Sequence, residues 1–260
     1  MATPQFRQLR RSYGFDEVAI VPGDITANPD QTNIDLKIDN FTFSIPIIAS
    51  AMDAVTDVNF ATLMSKLGGL AVLNLDGIQT RYDNPKEVLT QIAQASDAEV
   101  TPLLQNIYSQ PIKENLIGER IESIKKSGAV CAVSVAPTNT KRFAPIAAEA
   151  GADILVVQST VTSARHISKS YRGLIFAELR ESTRLPIIVG NCVSYSACLE
   201  LMQTGISGVL VGVGPGAACT TRQVLGIGVP QVTATMDCAT ARDEYQRQSG
   251  RYVPIITDGG

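Results

Sequence analysis

The chain has 260 residues but only one histidine, His166, which excludes a multi-histidine metal site. A Ser-His-Asp triad could use no other histidine, and no G-x-S-x-G elbow accompanies it. The five cysteines (Cys131, Cys192, Cys198, Cys219 and Cys238) form no C-x-x-C pair and are odd in number. This argues against structural zinc and a disulfide framework, and suits a reducing, cytoplasmic location. No apolar run approaches the roughly 20 residues that cross a bilayer, so no membrane partner is expected. The polar, basic start M-A-T-P-Q-F-R-Q-L-R-R lacks the apolar stretch of a secretory signal and reads as a short arm or linker. A net charge of −3 without a Lys/Arg run gives no stripe for tracking phosphates, so no nucleic-acid partner is expected. Internal repeats and low-complexity tracts are absent, and no G-x-G-x-x-G follows the first strand candidate.

What the chain does have is a series of continuous apolar runs. Seven read as strands buried on both faces: 45–50, 70–75, 130–135, 154–158, 186–190, 208–213 and 253–257. Helical patterns lie between them at 58–67, 118–126, 141–150, 194–204 and 237–248. Each is followed within two residues by a glycine: Gly68, Gly128, Gly151, Gly205 and Gly250. Alternating βα units of this kind predict one α/β domain, a (β/α)8 TIM barrel, with a doubly wound sheet as the alternative. A barrel needs an eighth strand, and the chain reaches Gly260 just after the seventh, so the expectation is that the natural protein continues further. The interval 76–128 is too short for an independent domain plus the barrel helix it must hold.

The most informative stretch is Val209–Thr221, V-L-V-G-V-G-P-G-A-A-C-T-T. A β-branched strand breaks into Gly212, Gly214 and Gly216, then presents Cys219, Thr220, Thr221 and Arg222. Glycines allow close backbone approach to a ligand, and a thiol on a loop just past a buried strand is placed as a nucleophile. Barrel enzymes carry their chemistry at the carboxyl ends of strands. In this chain those positions are Ser50-Ala51-Met52-Asp53, Asn74, Gln158-Ser159-Thr160, Asn191, 214–222 and Asp258-Gly259-Gly260. Each has a plainer reading taken alone. Asp53 and Asn191 could cap the following helices, and Asp258-Gly259 could be a simple turn. Taken together around one mouth, they favour a site. His166 and the segment 81–111 are given no role.

Four ordered blocks, IPIIASAMDAVTD, GVGPGAACTTR, GVPQVT and VPIITDGG, resemble the signature blocks of the IMP dehydrogenase/GMP reductase family. The stretches LNLDGIQTRY and IYSQPIKENLIGERI resemble its bacterial branch without CBS domains. That resemblance implies a thiolate of Cys219 attacking carbon-2 of a purine nucleotide, with hydride passing between that carbon and a nicotinamide. Thr221 would work beside the cysteine. Asp258 would bind the ribose hydroxyls, Gly260 and Gly216 would approach the nucleotide through backbone groups, and Ser50, Met52 and Asn191 would line its pocket. Gln158, Ser159 and Thr160 would face the cofactor, NADPH or NAD. The carbonyls of Gly214, Gly216 and Cys219 match a monovalent-cation site, usually potassium. Family barrels assemble as homotetramers or homo-octamers.

Two departures bear on function. Ala217 stands where the family has a phosphate-binding serine, and Gln158 stands where it has an aspartate for the cofactor ribose. A neutral side chain there removes a charge that would repel a 2′-phosphate. Together with the missing CBS domains, this favours GMP reduction by NADPH over IMP oxidation by NAD. A catalytically silent nucleotide-binding barrel is the third possibility. The dehydrogenase flap and the reductase's assisting glutamate would lie beyond Gly260.

Overall fold

The computed structural model describes residues 9–167 and 173–260; the first eight residues of the expected N-terminal arm lie outside them. A short antiparallel hairpin, β1 (Leu36–Ile38) and β2 (Phe41–Phe43), comes first. The seven expected strands follow: β3 (Ile48–Ala49), β4 (Leu70–Asn74), β5 (Ala132–Val135), β6 (Ile154–Gln158), β7 (Ile187–Cys192), β8 (Gly208–Val211) and β9 (Ile255–Thr257). They pair in parallel and in unbroken chain order, β3 to β9. A doubly wound sheet would reverse direction at a switch point. The consecutive order is that of a TIM barrel.

Helices α1 (Val58–Lys66), α2 (Pro85–Gln94), α3 (Asp97–Ser109) and α4 (Glu114–Lys126) come in the first half of the chain, and α5 (Pro137–Glu149) follows β5. In the second half are α6 (Phe176–Thr183), α7 (Tyr195–Gln203), the short α8 (Thr221–Leu225) and α9 (Gln231–Ser249). The interval between β4 and β5 is occupied by α2, α3 and α4. The five glycines predicted to end helices all have positive φ, from 73° to 92°, the conformation in which a β-carbon is strained. Helix α6 had no such punctuation in the sequence, because Arg184 takes the left-handed position at its end (φ 59°).

Two apolar layers result from strand alternation. Leu73, Val133, Leu155, Val157, Val189, Val209 and Val211 face outward onto the helices. Leu70, Val72, Ala132, Ile154, Val156, Ile188 and Leu210 fill the barrel interior. Ile38 and Phe43 of the hairpin join this inner cluster. The hairpin thus plugs one end of the barrel, with each such side chain contributing on the order of 1.5–3 kcal/mol by leaving water. The alternation Leu36, Ile38, Phe41, Phe43 around Asp39-Asn40 is the sequence signal for this element, which the reading by continuous apolar runs passes over. No helix among the described residues is long and apolar enough to cross a membrane.

Candidate active site at the barrel mouth

The inward rows become polar one pleat step beyond the apolar interior. Gln158, Gly190, Leu210 and Ile256 are mutual register partners and share one face. Two residues past Ile48, Val156 and Ile256 stand Ser50, Gln158 and Asp258, and a side-chain period of two points them the same way. All three line one recess of about 60 Å³ with Val72, Ile188 and Leu210 for its floor.

Asn191 joins Gln158 and Asp258 of this recess by a different route. The β7–β8 register shifts between Gly190 and Cys192, so Cys192 pairs with the outward-facing Val211. This extra residue turns the Asn191 side chain inward, as a bulge re-aims a side chain. Asn191 is 6% exposed. Its Nδ2 donates to the Gly212 carbonyl at 2.8 Å and to Asp258 Oδ2 at 2.7 Å. Gln158 Nε2 donates to Asn191 Oδ1 at 3.1 Å and to Asp258 Oδ2 at 3.2 Å. Asn191 is therefore no helix cap; the Ser194 side chain caps α7. Asp53 is likewise not a cap, since Asp57 caps α1. Its carboxylate accepts from Ile78 N–H and the Tyr108 hydroxyl, and burial raises its pKa despite both bonds.

The strand ends are locked to the cysteine loop at Gly212. A β-carbon there would lie 2.2 Å from the Asp258 carbonyl oxygen, and φ is 151°. Beyond it, Gly214 sits at φ 64° against Arg222 and Thr221, and the Gly216 carbonyl accepts the Cys219 N–H at 3.1 Å. Cys219 is half-buried and the other four cysteines are buried. Its sulfur lies 3.3 Å from the Thr221 hydroxyl. That hydroxyl, then the Thr221 backbone N–H, and finally the nearby Arg222 favour the thiolate, holding the Cys219 pKa below the usual thiol value against the opposing effect of desolvation.

The remaining predicted residues fall in three places. Ala217 and Gly260 line a second cavity with Arg222, Gln231 and the N-terminal stretch Gly14–Glu17. Ser159 lines a third, of about 320 Å³, with Thr138, Val161, Thr162, Ser163, His166, Leu174 and Phe176. Thr160 and Met52 are exposed. Gln158 thus joins the Asn191–Asp258 pair, whereas its chain neighbour Ser159 opens outward and receives an N–H from Asn191 through its carbonyl. Gln231 was not singled out in sequence, although it stands inside the GVPQVT block. It is 1% exposed, donates to the Val211 carbonyl at 2.6 Å, and leaves its own buried oxygen without a partner.

A family model described as the IMP dehydrogenase/GMP reductase domain matches residues 12–260. The chain belongs to the IMP dehydrogenase/GMP reductase family. An uncharacterized oxidoreductase of Mycolicibacterium smegmatis is 35% identical over 260 residues, covering 97% of this chain and 69% of that protein. Inosine-5′-monophosphate dehydrogenase of Cryptosporidium parvum is 29% identical over 268 residues, covering 98% of this chain and 63% of that protein. The crystal structure of an IMP dehydrogenase/GMP reductase-like protein from Corynebacterium glutamicum superposes with a TM-score of 0.90 at 34% identity. It is matched over 98% of this chain and 68% of its own. Membership makes the chain an oxidoreductase of a family that acts on purine nucleotides with a nicotinamide nucleotide.

Proposed function

We propose that this protein reduces GMP to IMP with NADPH, using Cys219 as the covalent nucleophile. The observation that carries the direction is the composition of the 320 Å³ cavity beside β6: its described lining holds hydroxyls, apolar side chains and the His166 imidazole but no carboxylate. NAD sites hold the ribose 2′-hydroxyl with an acidic side chain. A cavity without one admits the 2′-phosphate of the adenosine ribose, and Ser159, Thr162, Val161 and Phe176 offer a mixed wall that suits that ribose. Gln158 adds no charge, and in this reading it belongs with the nucleotide rather than with the cofactor.

The thiolate of Cys219 adds to carbon-2 of GMP, and the amino group leaves as ammonia with a proton supplied in the site. NADPH supplies the hydride that takes its place at carbon-2, and the thiolate departs to give IMP. Thr221 favours the thiolate form of Cys219, and in this reading its hydroxyl passes on the proton that the amine requires. Asp258 binds the ribose hydroxyls, with Asn191 and Gln158 fixing its carboxylate. Ser50 and Met52 border the nucleotide, while Gly216 and Gly260 approach it through backbone groups. With Ala217 carrying no hydroxyl, the phosphate depends on backbone N–H groups around Gly260 and on Arg222. Carbonyl oxygens of Gly214, Gly216 and Cys219 are donors that suit potassium, which would steady the loop. Exposed Ile20, Val21 and Ile25 favour self-association, and we place the chain in a cytoplasmic homotetramer or homo-octamer.

The second reading, IMP oxidation with NAD, is favoured by the relatives named inosine-5′-monophosphate dehydrogenase. Nicotinamide absorbance separates the two, followed with GMP plus NADPH and with IMP plus NAD, and with Cys219→Ala as control. NADPH consumption matched by ammonia release, and lost in the variant, is expected. NAD reduction by IMP alone refutes the proposed direction. Nucleotide binding without turnover in either mixture points to a silent barrel.

A further inference from the structure

Three of the five thiols meet behind the site. Cys192 ends β7, Cys198 lies on α7 and Cys238 on α9, and their sulfurs all lie within 4.8 Å of one another. Each is at most 2% exposed, sealed where α7 and α9 pack together on the sheet. The convergence is tertiary. The bulge that turns Asn191 inward sends Cys192 out to the helices, and the other two cysteines are 40 residues apart in the chain.

We propose that Cys192, Cys198 and Cys238 form a three-coordinate site for a soft monovalent metal ion of the Cu(I) type. Three sulfurs about 2.3 Å from a central ion stand about 4.0 Å apart when the ion lies in their plane, so each sulfur here moves inward by at most about half an ångström. Sulfur donors select soft ions. No histidine, carboxylate or further cysteine joins the trio among the described residues. The oxygens beside it are backbone carbonyls, of Cys238 at 3.8 Å from Cys198 Sγ and of Ser194 at 4.0 Å from Cys238 Sγ. A zinc ion, which takes four ligands, finds no fourth. Cysteine ligates a metal as the thiolate, so the thiol protons are released to solvent as the ion binds.

The test is anaerobic titration of the full chain with Cu(I) against a chromogenic Cu(I) chelator, followed by X-ray absorption at the copper edge. One retained equivalent is expected, with three sulfur neighbours and ultraviolet thiolate-to-copper absorption. Cys198→Ala and Cys198→Ser are expected to lower affinity at least about a hundredfold, more than loss of an outer-shell partner does. Cys131→Ala and Cys219→Ala are expected to retain the ion. Zn(II) is expected to bind at least about tenfold more weakly. Two sulfur neighbours in the unaltered protein, loss of the ion in Cys219→Ala, or equal zinc affinity each overturns the assignment. The neighbour count needs no variant, so a misfolded Cys198 variant does not shield the proposal.

Discussion

Replacing Asn191 with alanine tests whether the recess is a pre-organised polar network or a loose cluster. The substitution removes two donated bonds, to the Gly212 carbonyl at 2.8 Å and to Asp258 at 2.7 Å, and one accepted from Gln158 at 3.1 Å. A net neutral bond contributes about 1 kcal/mol and a bond to a charged group about 1.5–3 kcal/mol. The direct sum is about 4 kcal/mol. Asp258 keeps its bond to Gln158 and is partly exposed, so water restores part of the loss, and about 2–3 kcal/mol is the expected destabilisation. Guanidinium unfolding of the parent and variant measures it. Asn191→Asp sharpens the test by placing a second carboxylate against Asp258. Two carboxylates so close raise the folded-state pKa of one of them. The folded variant then binds more protons than the unfolded chain between the two pKa values. Its stability relative to the parent therefore falls as pH rises from acid toward neutral. An Asn191→Ala loss below about 0.5 kcal/mol, the scale of an ordinary surface change, refutes the network, as does an Asn191→Asp deficit that does not grow with pH.

Thr221→Val removes the hydroxyl that most favours the Cys219 thiolate, so the pH profile of Cys219 alkylation by iodoacetamide is expected to move to higher pH; an unchanged profile refutes that role. Gly212→Ala drives a β-carbon to 2.2 Å from the Asp258 carbonyl oxygen at φ 151°, and a loss of about 3 kcal/mol or more is expected. As its counterpart, Gly118→Ala within α4 meets nothing within 4 Å and is expected to raise stability by about 0.5–1 kcal/mol in the same denaturation assay.

The barrel was legible because its physics is local. Seven apolar runs, each long enough to be buried on both faces, and five glycines at helix ends follow from chain chemistry alone, and all seven strands and all five left-handed glycines are present. Helix α6 was missed because Arg184 ends it in place of a glycine, and the β1–β2 hairpin because it alternates rather than runs. The strand-end polar residues could be named but not sorted. Asp53 and Asn191 each carry cap-forming side chains, and only the packing shows that Asp57 and Ser194 do the capping. Gln158 and Ser159 are chain neighbours, yet alternation sends them to different cavities.

The sequence by itself determined the fold class and the position of the Cys219 thiol on its Gly-Pro-Gly loop, because periodicity and glycine placement act over a few residues. Only the tertiary structure decided that Asn191, Gln158 and Asp258 hold one another, and that Cys192, Cys198 and Cys238 converge behind them. Both outcomes turn on one register shift between β7 and β8. A strict alternation would have sent Asn191 out and Cys192 in, and the pairing partner that reverses them is Val211, nineteen residues further along the chain.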